Sequence, residues 1–118
     1  MTFGGLLTYF FAAIWLVNGF CKVLDLVPRH RVIVTRILGE NNATFLTRSI
    51  GAAEIVMAIW ILSGVQSRIN AITQIGVVAA MNVIEVFLAP DLLLWGRANA
   101  VVATLFILLI AYKEFILG

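Results

Sequence analysis

The sequence predicts an all-α integral membrane protein, a four-helix bundle with a short amphipathic interfacial helix between helices 1 and 2. Of the 118 residues, 63% are hydrophobic and only 12% are charged, whereas soluble domains are about half apolar and a quarter charged. Clusters of charge and both prolines separate four long apolar segments. Each segment is close to the ~20 residues that a helix needs to cross a bilayer.

The four spans are predicted at about 3–22, 43–64, 69–89 and 97–112, within a single domain over residues 1–118. Backbone groups find no water in lipid, so a spanning segment must be a helix or part of a closed barrel. Apolar runs such as 101–111 lack the alternation of barrel strands. The first segment has no preceding positive charge and no clear cleavage site, so we expect a retained helix and not a signal peptide.

The connection between the first two spans is predicted to contain a helix over residues 28–38. Pro28 suits the first turn of a helix. Apolar residues then recur at helical spacing opposite Arg29 and Arg36, and Gly39 follows the last of them. Such a helix lies on the membrane interface. It either anchors the chain to anionic lipid or covers the bundle as a lid, and the residues leave both interpretations open.

Positive charges are distributed unevenly between the two sides of the predicted bundle. Six lie in or beside the first and third connections, and only Arg68 and Lys113 lie on the other side. By the positive-inside rule, the two connections are cytoplasmic, and both termini are periplasmic in a bacterial inner membrane. The basic residues are few and have no interleaved aromatic residues, so the expected partner is the lipid bilayer and not nucleic acid.

The sequence offers little for catalysis. Cys21 is the only cysteine, and a membrane thiol oxidoreductase needs at least a pair. His30 is the only histidine, and no cluster of His and Cys has the spacing of metal ligands. We therefore predict no catalytic residue and no metal site.

Polar residues inside the spans form the candidate site. Glu54 lies about 9 Å deeper than the interfacial Arg48 at the rise of a helix. A charge at the centre of a helix in lipid costs about 2.5–3.5 kcal/mol, so glutamates should face the interior of the bundle. Once antiparallel order is imposed on the spans, eight polar residues share one leaflet: Asn18, Lys22, Arg48, Glu54, Asn82, Glu85, Arg97 and Asn99.

This polar layer has two interpretations. In the first, Lys22, Arg48 or Arg97 pairs with the glutamates, and the pairs fix the register of the helices. In the second, the layer is the polar end of a ligand pocket, and Trp15 with neighbouring aromatic residues forms the apolar end. The residues favour neither interpretation over the other.

A longer pattern runs through nearly the whole chain. Its parts are Trp15-x-x-Asn18-Gly19-x-Cys21-Lys22-Val23, Pro28-Arg29-His30, Ile50-Gly51-x-x-Glu54 with Trp60-Ile61-Leu62, Asn82-x-x-Glu85, and Ala89-Pro90-Asp91 followed by Asn99. This pattern resembles the DoxX-like family of small four-helix bacterial membrane proteins. The resemblance implies a four-helix membrane bundle. The wider family is linked by name and association to membrane oxidoreductase complexes and to a small quinone-oxidoreductase subunit.

Three functions remain open. The leading one is a non-catalytic or accessory inner-membrane protein that binds a lipid-like or quinone-like small molecule, or that is a subunit of a larger membrane complex. The second is a purely structural or assembly subunit whose charged layer only fixes helix register. The third is a proton or solute carrier using Glu54 and Glu85. So short a carrier would need to form a homo-oligomer, for which Gly76-x-x-x-Ala80 is the candidate contact.

Overall fold

The computed structural model describes residues 2–24, 26, 28–88 and 98–117. The α-helices in these ranges are α1 (Phe3–Val23), α2 (Pro28–Leu38), α3 (Ala43–Ser63), α4 (Ser67–Leu88) and α5 (Asn99–Ala111). The described chain contains no strand, which confirms the all-α prediction. The short helix after the first span has the bounds expected from the sequence.

Four of the helical segments are long and apolar enough to cross a membrane: Phe3–Val23, Ala43–Ser63, Ser67–Leu88 and Asn99–Leu117. Most of their large apolar side chains point outward, among them Phe87, which is 79% exposed. A soluble monomer rarely exposes so much contiguous apolar surface. The chain is therefore a multi-pass membrane protein whose outer surface suits lipid.

The helix ends follow local chemistry. The Thr2 hydroxyl accepts a hydrogen bond of 3.0 Å from the Gly5 amide and caps α1. Gly39 and Gly64 follow α2 and α3 with positive φ angles of 94° and 71°, which glycine adopts without strain. Three ends differ from expectation by two residues or more. α5 begins at Asn99, later than position 97. α4 begins at Ser67, earlier than position 69. The last helix continues beyond Tyr112 as a π-helical segment, Tyr112–Leu117.

The helices form two pairs. α1 packs along α3, and α4 packs along α5, whereas α3 and α4 touch little although they are neighbours in the chain. α2 packs against α3 and α4, at the end of the bundle where α1 and α4 end and α3 and α5 begin. This end is called the α2 end below.

α1 and α3 cross closely at Gly19 and Gly51. A Cβ atom added to either glycine would lie 2.6 Å from the backbone oxygen of the other. Only glycine allows two helix backbones to approach so closely. Lys22 follows Gly19 on α1, and Glu54 follows Gly51 on α3, each by about one helical turn. The crossing therefore also sets the distance between the side chains of Lys22 and Glu54.

The two helix pairs meet in the half of the bundle away from α2. The ring of Phe11 packs edge-to-face against that of Phe106, with centroids 5.5 Å apart. Around this contact lies the buried apolar cluster of Leu7, Phe11, Ala12, Trp15, Met57, Ala58, Ile61, Ala71 and Ile110. Toward the α2 end the space between the two pairs is not filled by such a cluster, and a cavity lies there.

The first testable prediction concerns the glycine crossing. Gly51→Ala should destabilise the protein, because the new methyl group meets the Gly19 carbonyl, which is backbone and cannot rotate away. Overpacking of a well-packed site costs about 1–3 kcal/mol. The midpoint of thermal unfolding in detergent should therefore fall.

Gly76→Ala is the matched control. A Cβ atom at Gly76 would meet nothing within 4 Å, and alanine has the better helix propensity. Its unfolding midpoint should be unchanged or slightly higher. Equal midpoints for Gly51→Ala and the unmodified protein would contradict the close crossing.

Candidate functional site

A cavity of about 770 Å³ lies between the two helix pairs at the α2 end. Its size falls within the range of about 300–1,000 Å³ that is typical of small-molecule sites. The wall is mostly apolar and takes residues from all five α-helices. Its polar members are Trp15, Asn18, Lys22, His30, Glu54, Asn82, Glu85 and Asn99.

Lys22 and Glu54 form an ion pair between α1 and α3. The Lys22 Nζ atom donates a hydrogen bond to Glu54 Oε1. Both side chains are largely buried, with exposed fractions of 12% for Lys22 and 7% for Glu54. Buried charges repay their desolvation only when they are closely paired. The pair therefore ties the α2 end of α1 to the middle of α3.

Glu85 projects into the same cavity from α4 and is half-buried. It lies within electrostatic range of both Lys22 and Glu54. It makes no ion pair and no hydrogen bond with any residue that the structure describes. Of the pairings considered from the sequence, that of Lys22 with Glu54 is therefore found, and within the described residues Glu85 has none.

Three asparagines complete the polar wall. The Asn99 Nδ2 atom donates to Asn82 Oδ1 at 3.1 Å and links the α2 ends of α4 and α5. Asn18 is exposed, and its Nδ2 atom donates to the Ile14 carbonyl of its own helix at 2.8 Å. All three asparagines line the cavity.

The remaining candidates from the sequence lie elsewhere. Arg48 is exposed and does not line the cavity, so the pairing considered for it is not found within the described residues. Arg97 falls outside the residues that the structure describes. Seven of the nine candidates therefore surround one cavity, and they come from four separate spans.

The apolar face of α2 covers the cavity. Ile33, Val34, Ile37 and Leu38 all line it. Ile33 and Val34 are each only 8% exposed. A helix that served only as a lipid anchor would turn this face toward the bilayer. Its position against the cavity is the one expected of a lid.

A neutral polar network was missed by the sequence reasoning. The Trp15 indole nitrogen donates to Gln74 Oε1 at 2.9 Å, and Gln74 Nε2 donates to Asn70 Oδ1 at 2.7 Å. The Asn70 amide donates in turn to the Met57 sulfur at 3.4 Å. The only signal in the sequence was the one-turn spacing of Asn70 and Gln74 within an apolar span.

The Trp15–Gln74 hydrogen bond separates two cavities. Trp15 lines the large cavity at the α2 end. Gln74 lines a smaller pocket of about 150 Å³ at the opposite end, together with Lys113 and Glu114. The tryptophan and glutamine side chains therefore form a partition across the middle of the bundle.

Within the described residues, no group of His, Cys, Asp and Glu side chains could hold a metal ion. Cys21 is a free cysteine and is half-buried. The cavity wall combines mostly apolar side chains with a few convergent polar groups, a composition that is typical of small-molecule sites.

Comparison with known proteins gives one match. The family model described as the DoxX-like family matches residues 12–112. This range contains the seven cavity residues named above. No curated protein and no solved structure matches the chain.

The second prediction concerns the Lys22–Glu54 pair. Glu54→Gln should lower the free energy of unfolding, because it leaves the Lys22 charge without its partner. The loss is about 3–5 kcal/mol for a fully buried pair and smaller where water enters. The double variant Lys22→Met, Glu54→Leu should recover much of it, since neither charge is then stranded.

Glu85→Gln provides the comparison for this prediction. Because Glu85 has no ion-pair partner among the described residues, its amide strands no opposite charge and should not lower the unfolding free energy. Unfolding of the four proteins can be followed by circular dichroism in mixed micelles. Losses of equal size in Glu54→Gln and Glu85→Gln would contradict the assignment of the pair.

Proposed function

Because the chain belongs to the DoxX-like family, we propose that it is a bacterial inner-membrane protein that binds a lipid-like small molecule between its two helix pairs. This proposal rests on the cavity at the α2 end. Its wall is apolar over most of its area, and its polar groups gather around Lys22, Glu54 and Glu85. This division suits a molecule with a polar head and an apolar body. Quinones and phospholipids both belong to that class.

The composition of the wall supports entry of the ligand from the bilayer. Phe10 on α1 and Leu105 on α5 both line the cavity. The same side chains are 48% and 57% exposed, and α1 and α5 approach each other closely at few points. An opening between these two helices would make the cavity accessible to a molecule dissolved in the membrane. The gap between α1 and α5 is therefore the proposed entrance.

A structural subunit of a membrane complex is the second candidate. The Lys22–Glu54 pair and the Gly19–Gly51 crossing favour it, since both lock α1 to α3 without involving a ligand. A carrier is less well supported. A solute crossing the bundle would have to pass Trp15 and Gln74, whose side chains are buried and hydrogen-bonded to each other. Partners of such a subunit would be other membrane proteins or a second copy of the chain.

The third prediction concerns orientation. Lys22, Arg31, Arg36 and Arg48 all lie at the α2 end, and Arg68 and Lys113 lie at the opposite end. By the positive-inside rule, the α2 end faces the cytoplasm and both termini face the periplasm. Alkaline phosphatase fused after residue 118 should therefore be active, and green fluorescent protein at the same point should be dark.

The control fusions are placed in the α2–α3 connection, after Glu40. The two reporters should there give the reverse result. A fluorescent carboxy-terminal fusion, combined with an active phosphatase after Glu40, would show the opposite orientation.

The fourth prediction tests ligand binding by filling the cavity. Ala103 lines the cavity, and phenylalanine at this position would occupy the space of the apolar body of a ligand. Mass spectrometry of solvent extracts should find an amphiphile in near-stoichiometric amount with the unmodified protein. Much less should be retained by Ala103→Phe.

Ala13→Phe is the matched control, because Ala13 is exposed on α1 and does not line the cavity. It should retain as much ligand as the unmodified protein. Circular dichroism should give equal helix content for all three. Equal ligand content in both variants, or clean extracts from all three proteins, would contradict the binding function and favour the structural subunit.

A further inference from the structure

The charges of the acidic and basic side chains around the α2-end cavity do not sum to zero. Lys22 and Glu54 neutralise each other in their ion pair. Glu85 adds a second carboxylate to the wall and has no ion-pair partner among the described residues. Together, Lys22, Glu54 and Glu85 give this wall one excess negative charge in mostly apolar surroundings.

The hydrogen bonds of the wall also leave Glu85 available to a ligand. Lys22, Asn18 and Asn99 each donate a hydrogen bond to a group other than Glu85, namely to Glu54, the Ile14 carbonyl and Asn82. An ionised carboxylate accepts hydrogen bonds and donates none. The Glu85 carboxylate is thus an acceptor that the described residues leave for a ligand.

We propose that Glu85 is the residue that recognises the ligand, and that the ligand is a lipophilic cation, such as an amphiphilic amine or a quaternary onium compound. This inference rests on the proposed function, since it names the ligand class for the same cavity. It also gives the two glutamates different roles. Glu54 holds α1 against α3, and Glu85 binds the positive head.

Electrostatics favours a cation over other amphiphiles at this position. A carboxylate away from bulk water is costly unless a proton neutralises it or a positive charge accompanies it. A neutral head leaves that cost in place, and an anionic head increases it. Trp15 and Phe106 also line the cavity, and aromatic faces attract cations. The apolar wall would enclose the organic substituents of the cation.

Tetraphenylphosphonium and tetraphenylborate provide the test, because they have nearly the same shape and opposite charges. The protein is reconstituted in nanodiscs of zwitterionic phosphatidylcholine, and probe binding is measured by equilibrium dialysis with empty nanodiscs as the blank. Tetraphenylphosphonium should bind at one saturable site for each protein. Tetraphenylborate should show no saturable binding.

Three variants assign this binding to Glu85. Glu85→Gln should weaken tetraphenylphosphonium binding by about tenfold or more, the size expected for loss of one nearby charge in a partly buried site. Asn82→Asp should strengthen it, since the new carboxylate keeps the shape of the amide and can still accept from Asn99. Glu114→Gln is the control at the opposite end of the bundle and should have no effect. Circular dichroism and size-exclusion profiles confirm that each variant is folded.

The outcomes separate this inference from the proposed function. Absence of saturable tetraphenylphosphonium binding, equal binding of both probes, or unchanged binding in Glu85→Gln would overturn the cation site. If Ala103→Phe still lowers the amount of copurified amphiphile, the lipid-binding function stands with a different head group. If that amount is also unchanged, both proposals fall.

Discussion

The contact between Gly19 and Gly51 is the constraint on which the rest of the structure depends. Lipid tails are as apolar as leucine, so the hydrophobic effect does not drive membrane helices together, and close packing and polar contacts must do so. The missing side chains let α1 and α3 approach until each would-be Cβ is 2.6 Å from the opposite carbonyl oxygen. At that separation the Lys22 side chain reaches Glu54, and the buried ion pair adds a second attachment between α1 and α3.

The glycine crossing and the ion pair hold α1 against α3, and this pair of helices faces a second pair, α4 with α5. The two pairs meet at the partition, where Trp15 binds Gln74 and the ring of Phe11 contacts that of Phe106. They leave the larger space toward α2, and that helix covers this space with its apolar face. The cavity is therefore a consequence of how the helices pair. Glu85, which takes no part in the Lys22–Glu54 ion pair, faces this cavity.

The sequence predicted the spans, the interfacial helix and most of the candidate site, because each of these depends on depth in the membrane and on one helix at a time. It could not predict which helices pair, since periodicity defines the buried face of a helix and not its neighbour. Arg48 shows the difference. Thr47 and Gly51 lie on the buried stripe of α3, and a rotation of about 100° for one residue turns Arg48 away from it. Glu54 and Glu85 likewise looked equivalent in the sequence, and only the helix pairing distinguishes them.

An experimental density map of the protein, purified from its native membrane in a mild detergent, tests the central claim most directly. The account predicts elongated density, not explained by the chain, between α1 and α5, running from the level of Phe106 to the carboxylate of Glu85. The Lys22–Glu54 pair should be intact beside it. A map in which α4 and α5 close against α1 and α3 with no space between them, and in which Glu85 points into the detergent, would contradict the account.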